Sequence, residues 1–279
     1  MLRPVKKEYG QHFLVDRNIV EVIGRLAELG PDDVVLEIGP GQGVLTRYLA
    51  ERVRRVHAIE IDHALEPELS GLAENVDLVF GDALRIELPQ DATKLVANLP
   101  YNVATPLVVE SLDGLLNVAL WCVMVQREVA ERFFAQPRTK EYGAVSVLVQ
   151  LAAERTGFHA VSRTVFRPQP NVDSALVAFR RRQLPPEYGR VKELVTAAFA
   201  HRRKTLPNSV AQAGLATREQ ATEALAAIGR PAEIRAEALA PAEFVALARA
   251  LQCAARRHRP RSTSRSSSAR CATTASTRF

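Results

Sequence analysis

The sequence predicts an α/β protein, a doubly wound and largely parallel sheet followed by a small all-helical domain. Three observations carry this. From about residue 33 to 180, short β-branched runs alternate with helix-like segments. A glycine string, Gly39-Pro40-Gly41-Gln42-Gly43, closes the first of these runs where a helix-like segment begins. After Leu184-Pro185-Pro186 strand signals cease, and Ala, Leu, Glu and Arg recur at helical spacing.

Strand candidates run from Val34 to Ile38, Arg55 to Glu60, Val76 to Phe80, Lys94 to Ala97, Ala119 to Val125, Glu154 to Val161 and Ser174 to Arg180. The last two are joined by a loop too short for a crossover helix, so the far edge of the sheet is expected to be antiparallel. Residues 1–184 then form one domain and 187–252 the helical one. Residues 253–279 turn to Arg, Ser, Thr and Ala without apolar periodicity, and are expected to stay disordered.

Bulk composition excludes several classes. No apolar run approaches the roughly eighteen residues of a membrane span, and Met1 to Lys7 lacks the apolar stretch of a secretory signal, so a cytoplasmic protein is expected. Cys122, Cys253 and Cys271 have no paired spacing, so neither a metal nor a disulfide framework is expected. The net charge of +6 is concentrated at the end: residues 253–279 hold seven of the 37 basic residues and no acid, leaving 30 basic against 31 acidic residues in the body. Nucleic-acid binding therefore rests on local clusters, Arg180-Arg181-Arg182 and His201-Arg202-Arg203-Lys204, whose plain alternative is a solvated strand or helix end.

The glycine string follows Val34-Val35-Leu36-Glu37-Ile38 and suits close approach of a nucleotide-like cofactor, with Gly39 and Gly41 as contacts. A dinucleotide fingerprint fits poorly, because Val44 stands where its third small residue belongs. Glu60 ends the second strand, where a carboxylate can accept both hydroxyls of a ribose, and Asp82 ends the third, where it can accept from an adenine amine. The fourth strand delivers Asn98-Leu99-Pro100-Tyr101. An adenine amino group is a poor nucleophile because its lone pair is delocalised, so it needs acceptors that favour the pyramidal form. The Asn98 side-chain oxygen and the Leu99 carbonyl can supply them, Pro100 keeps that carbonyl out of ordinary strand pairing, and Tyr101 offers a stacking face for an extruded base.

With these residues in view, the chain from residue 6 to about 250 resembles the KsgA/RsmA family of small-subunit rRNA adenine dimethyltransferases. The matching residues are Tyr9-Gly10-Gln11-His12-Phe13-Leu14, Glu37 to Gly43, Asn98 to Asn102, Val165 to Pro170 leading to Val172-Asp173-Ser174, and Arg202 to Leu206. The resemblance implies a class I (Rossmann-like) methyltransferase sheet plus a helical rRNA-binding domain. It also implies S-adenosylmethionine contacts at His12, Leu14, Gly39, Glu60, Asp82 and Asn98, and Phe166 covering the target base opposite Tyr101. The implied substrate is a pair of adjacent adenosines near the 3′ end of 16S rRNA within the small subunit, dimethylated at N6 by a monomer without metal or membrane. Two departures stand out. His12 occupies a position where many relatives carry asparagine, and could instead cap the helix beginning near Asp16; the tail from Cys253 has no counterpart in the family. The rivals are a 23S rRNA adenine methyltransferase of the antibiotic-resistance type, disfavoured by Asn102 and Arg202 to Leu206, and a non-catalytic ribosome-assembly factor.

Overall fold

The computed structural model describes residues 12–201 and 203–257. Its strands are β1 (Phe13–Leu14), β2 (Val34–Ile38), β3 (Arg55–Glu60), β4 (Val76–Phe80), β5 (Lys94–Asn98), β6 (Leu120–Gln126), β7 (Ala153–Val161), β8 (Phe166–Arg167) and β9 (Ser174–Arg181). The helices are α1 (Arg17–Leu26), α2 (Val44–Ala50), α3 (Glu66–Leu69), α4 (Ala104–Gly114), α5 (Arg127–Phe133), α6 (Ala144–Ala152), α7 (Tyr188–Phe199), α8 (Leu206–Gln212), α9 (Arg218–Ala227) and α10 (Pro241–Arg257).

Seven strands form one sheet in the order β4-β3-β2-β5-β6-β9-β7. β4 to β6 pair in parallel, while β9 is antiparallel to both β6 and β7. The antiparallel region therefore lies where the short connection predicts it, with β9 inserted inside β7 rather than at the edge. β1 and β8 make a separate antiparallel pair, each too short to leave a periodic signal in sequence.

Alternation along the strands splits the core into two faces. Val35, Val96, Cys122, Met124 and Leu176 pack toward α1 and α2. Leu36, Leu95, Trp121, Val123 and Phe179 face the other way, in a cluster that continues without interruption into Val191, Leu194, Leu206, Leu225 and Phe244 of the helical region. The two regions thus share one core, clamped outside it by Lys192 reaching Glu110 and Asp113 on α4 at 3.0 and 3.1 Å. The last helix runs past Gln252 to Arg257 and buries Ala254, so order extends beyond the expected boundary; residues 258–279 lie outside the described residues.

This order creates the feature that positions the site. From β2 the chain winds outward through β3 and β4, then returns to build β5 and β6 on the other side, so the crevice at the carboxyl ends of β2 and β5 is a topological switch point.

Candidate active site

A cleft opens at that switch point. Its floor is the glycine loop after β2. Gly39 and Gly41 have φ of +74° and +58°, a region side chains avoid, and a Cβ on Gly41 would sit 2.9 Å from the Phe13 ring. One wall comes from β1, with His12, Phe13 and Leu14; another from Asn98, Leu99, Pro100 and Tyr101 after β5; Glu60 stands at the end of β3.

Glu60 is 4% exposed, and its carboxylate accepts the Gly41 N–H at 3.0 Å and the Asp62 N–H at 2.9 Å. Burial raises its pKa above the ordinary carboxylate value, and these two backbone bonds work against the rise. It braces the glycine loop while each oxygen keeps lone-pair capacity for a further donor. Beside it an apolar recess shares Gly39, Glu60, Ile61 and Pro100 with the cleft and is walled by Ala83, Leu84, Val103 and Leu107. Asp82 lies at this recess, not in the main cleft; it accepts the Leu84 N–H at 3.0 Å and pairs with Arg85 at 3.3 Å.

The Asn98 amide has a defined orientation. Its Nδ2 donates to the His12 carbonyl at 3.1 Å, leaving Oδ1 as its acceptor. The Leu99 N–H is spent on the Met124 carbonyl at 3.0 Å, and no main-chain donor among the described residues reaches the Leu99 carbonyl. Tyr101 is half-buried, with its hydroxyl 2.6 Å from Oγ of the fully buried Ser174 and its ring 5.4 Å from that of His12. Burial pushes the phenol pKa up.

His12 does not cap α1. Asp16 does so, accepting the Asn18 N–H at 2.8 Å, whereas His12 Nδ1 lies 2.9 Å from the Pro168 carbonyl. A carbonyl only accepts, so this bond requires the proton on Nδ1. Because Asn98 uses the His12 main chain, that contact does not depend on whether histidine or asparagine stands there.

Packing holds two of the singled-out groups away from open surface. Phe166 is not exposed over the cleft: β8 pairs Phe166 with Leu14 of β1, turning the ring into the core at 0% exposure. Nor is Arg180-Arg181-Arg182 a free basic surface. Arg180 pairs with Glu28 at 2.7 Å and Arg182 with Glu154 at 2.6 Å, while Arg181 donates to the Leu112, Leu115 and Val118 carbonyls and lies over Trp121. In the second basic cluster Lys204 bonds Gln212, and Arg202 lies outside the described residues, as do Tyr9, Gly10 and Gln11.

Sequence reasoning passed over Glu37. It lines the cleft at 1% exposure, and its Oε2 has no hydrogen-bond partner among the described residues. The signal was an acid inside an otherwise apolar buried strand. An orphaned buried carboxyl, a glycine cradle and a second carboxylate at a strand end fit a cationic, ribose-bearing cofactor such as S-adenosylmethionine. Among the described residues no group of three or more His, Cys, Asp or Glu could hold a metal ion.

The chain is similar to known proteins along most of its length. Residues 3–252 match the family model for ribosomal RNA adenine dimethylase. The chain is 48% identical over 251 residues to a protein of Rubrobacter xylanophilus named ribosomal RNA small subunit methyltransferase A, covering 88% of this chain and 94% of that one. A dimethyladenosine transferase from Plasmodium falciparum shares the fold with a TM-score of 0.75 at 24% identity, covering 88% of this chain and 98% of its own. The 23S rRNA methyltransferase ErmE superposes with a TM-score of 0.61 at 30% identity, covering 86% and 99%.

Proposed function

The chain belongs to the ribosomal RNA adenine dimethylase family, and from that premise we propose that its cleft binds S-adenosylmethionine and methylates N6 of two adjacent adenosines in the loop near the 3′ end of 16S rRNA. It is an rRNA adenine dimethyltransferase, a class I methyltransferase sheet joined to a helical region. The small-subunit reading is favoured over the 23S one by identity at similar coverage, 48% against 30%. A purely structural assembly role does not explain why Asn98 is aligned as an acceptor at the cleft.

That alignment is the observation that carries the chemistry. When bound, S-adenosylmethionine supplies an electrophilic methyl group. The chain's task is to present an amine whose lone pair is free. The Asn98 Oδ1 and Leu99 carbonyl accept the two amino hydrogens and favour the pyramidal nitrogen, more strongly as positive charge develops on it. Glu60 holds the ribose hydroxyls and the glycine loop, Asp82 accepts from the cofactor's adenine amine, and the apolar recess takes that ring. His12, Leu14, Gly39 and Gly41 complete the cofactor wall. Pro100 shapes the turn into Tyr101, on which the extruded base stacks. We assign no base-covering role to Phe166 in the conformation described. We propose that the protein acts as a monomer. Residues 187 to 252 are proposed to carry rRNA contacts. No helix among the described residues is long and apolar enough to cross a membrane; a cytoplasmic location is proposed on the substrate alone.

Tyr101 gives a direct test. Tyr101→Ala removes a stacking surface worth roughly 1–3 kcal/mol and is expected to weaken capture of the target adenine by about 5- to 150-fold. Tyr101→Phe keeps the ring and loses only the bond to Ser174, about 1 kcal/mol, so most activity is retained. Steady-state kinetics on unmodified small subunits separate these outcomes; equal losses in both variants would assign the work to the hydroxyl instead.

A chain ending at Arg257 keeps α10 whole. It is expected to methylate normally while its nonspecific RNA affinity shows a shallower salt slope, because residues 258–279 hold five arginines. Loss of methylation by this shortened chain, measured beside the full chain across a salt series, would make the tail a working arm.

A further inference from the structure

Two carboxyl groups meet the cofactor cleft from neighbouring strands, and they are treated differently. Glu60 receives two backbone N–H groups. Glu37, next to last in the buried strand β2, receives none at Oε2; the Oγ1 of Thr46, on the first turn of α2, neighbours it without closing a well-formed hydrogen bond and is itself buried and unpartnered. An ionised carboxylate buried without partners is so disfavoured that the group keeps its proton instead. Burial is the largest cause and pushes Glu37 up to about 8; Thr46, the next, pulls the other way, and the nearby Glu60 carboxylate adds a smaller push upward.

The charged and titratable neighbours do not supply a counter-charge. β3 and the turn after it offer Glu60 and Asp62, both acids. Arg47 on α2 is held by the Gln42 and Glu68 carbonyls. His12 is engaged with Pro168 and Tyr101 with Ser174. What Glu37 lacks is a cation. S-adenosylmethionine carries two, the sulfonium and the amino-acid ammonium.

Resting on the reading of this cleft as the S-adenosylmethionine site, we propose that Glu37 is a proton-linked receptor for the cofactor's cationic end: it is neutral in the free protein, and it ionises, releasing its proton to solvent, as the cofactor enters. The step breaks one O–H bond and forms no covalent bond to the cofactor. Electrostatic attraction between the new carboxylate and the cation replaces the proton, so binding becomes pH-dependent on the acid side. Glu37 acts as a positioning residue rather than on the methyl group.

Calorimetric titration of S-adenosylmethionine into the full chain, in buffers of different ionisation enthalpy, counts the protons released. At about pH 7 the cofactor's own amine, with a pKa of about 7.7–8.0, is mostly protonated and stays so beside a carboxylate, so the count reports the protein. Close to one proton per cofactor is expected there, and the Kd tightens by about tenfold per unit from about pH 6 to 7. Glu37→Gln, an isostere of the neutral acid, is expected to abolish both the release and the slope. Its thermal midpoint without cofactor should also lack the wild-type decline as pH rises from about 5 to 8: a carboxyl whose folded pKa is raised stabilises at low pH and loses that contribution as pH rises through the folded value. If the variant fails to fold, infrared difference spectra of the wild type decide, since loss of a protonated-carboxyl band on cofactor addition is required. Binding with no proton release and no such band overturns this proposal alone. Absence of any binding overturns the cofactor site as well.

Discussion

Replacing Asn98 by alanine is expected to lower single-turnover methyl transfer by roughly 10²–10³-fold with cofactor saturating, the cost of losing one preorganised polar partner of the developing charge. The structure sharpens this expectation. Asn98 Nδ2 is committed to the His12 carbonyl, so the side chain cannot flip its oxygen away from the cleft without breaking that bond. Alanine removes the acceptor and also frees the His12 segment, which lines the cofactor wall, so some loss of S-adenosylmethionine affinity accompanies the rate. Asn98→Asp separates the two effects. It keeps an acceptor but places a carboxylate oxygen against the His12 carbonyl, so it should perturb that contact while offering a stronger acceptor to the amine. The check is rapid-quench single turnover on unmodified small subunits, with cofactor affinity measured alongside. Near-wild-type turnover by Asn98→Ala at saturation would remove Asn98 from the chemistry.

The second large effect is expected at Glu60. Glu60→Ala should weaken S-adenosylmethionine by about 10- to 150-fold, corresponding to roughly 1.5–3 kcal/mol for charged hydrogen bonds. The upper part of that range is expected, because the same carboxylate also receives the Gly41 and Asp62 N–H groups, so the glycine loop loses its brace when the ribose loses its acceptor. Glu60→Gln keeps one acceptor oxygen and turns an amide NH₂ toward a backbone donor, which places its effect between wild type and alanine. Calorimetry reads the affinity directly. A thermal melt separates it from unfolding, since removing a buried carboxyl whose ionisation is already disfavoured by burial offsets part of the lost bonding. Unchanged affinity would mean that the ribose lies elsewhere.

Much of this was legible in sequence because the relevant signals are local. Val34 to Ile38 and Arg55 to Glu60 are short β-branched runs, and their ends carry the glycine loop and Glu60; the structure draws them at the same limits. Asn98 to Tyr101 is recognisable because proline after Leu99 forces the chain out of the sheet where an acceptor is wanted. What sequence left open shares a cause: the partners are far apart in the chain. Arg180 finds Glu28 and Arg181 finds carbonyls in and after the last turn of α4, so a triplet of arginines that reads as a basic patch is consumed in tying down the end of β9. Phe166 is buried by a two-residue strand that pairs with β1 across the whole domain, which no periodicity announces. Glu37 was hidden in the opposite way. Its strand was found, but an acid among apolar residues becomes informative only once burial and the missing partner are known. The helical region lost its independence for a similar reason, since only packing shows that Leu206 and Phe244 belong to the same core as Trp121.

The most direct test incubates the full chain with labelled S-adenosylmethionine and, in separate reactions, unmodified small ribosomal subunits, large subunits and protein-free rRNA, then maps the labelled nucleotides. Label is expected at N6 of two adjacent adenosines near the 3′ end of 16S rRNA, in small subunits, as dimethyladenosine. Label on 23S rRNA alone, or binding to small subunits with no methyl transfer to adenine, would contradict the proposed function.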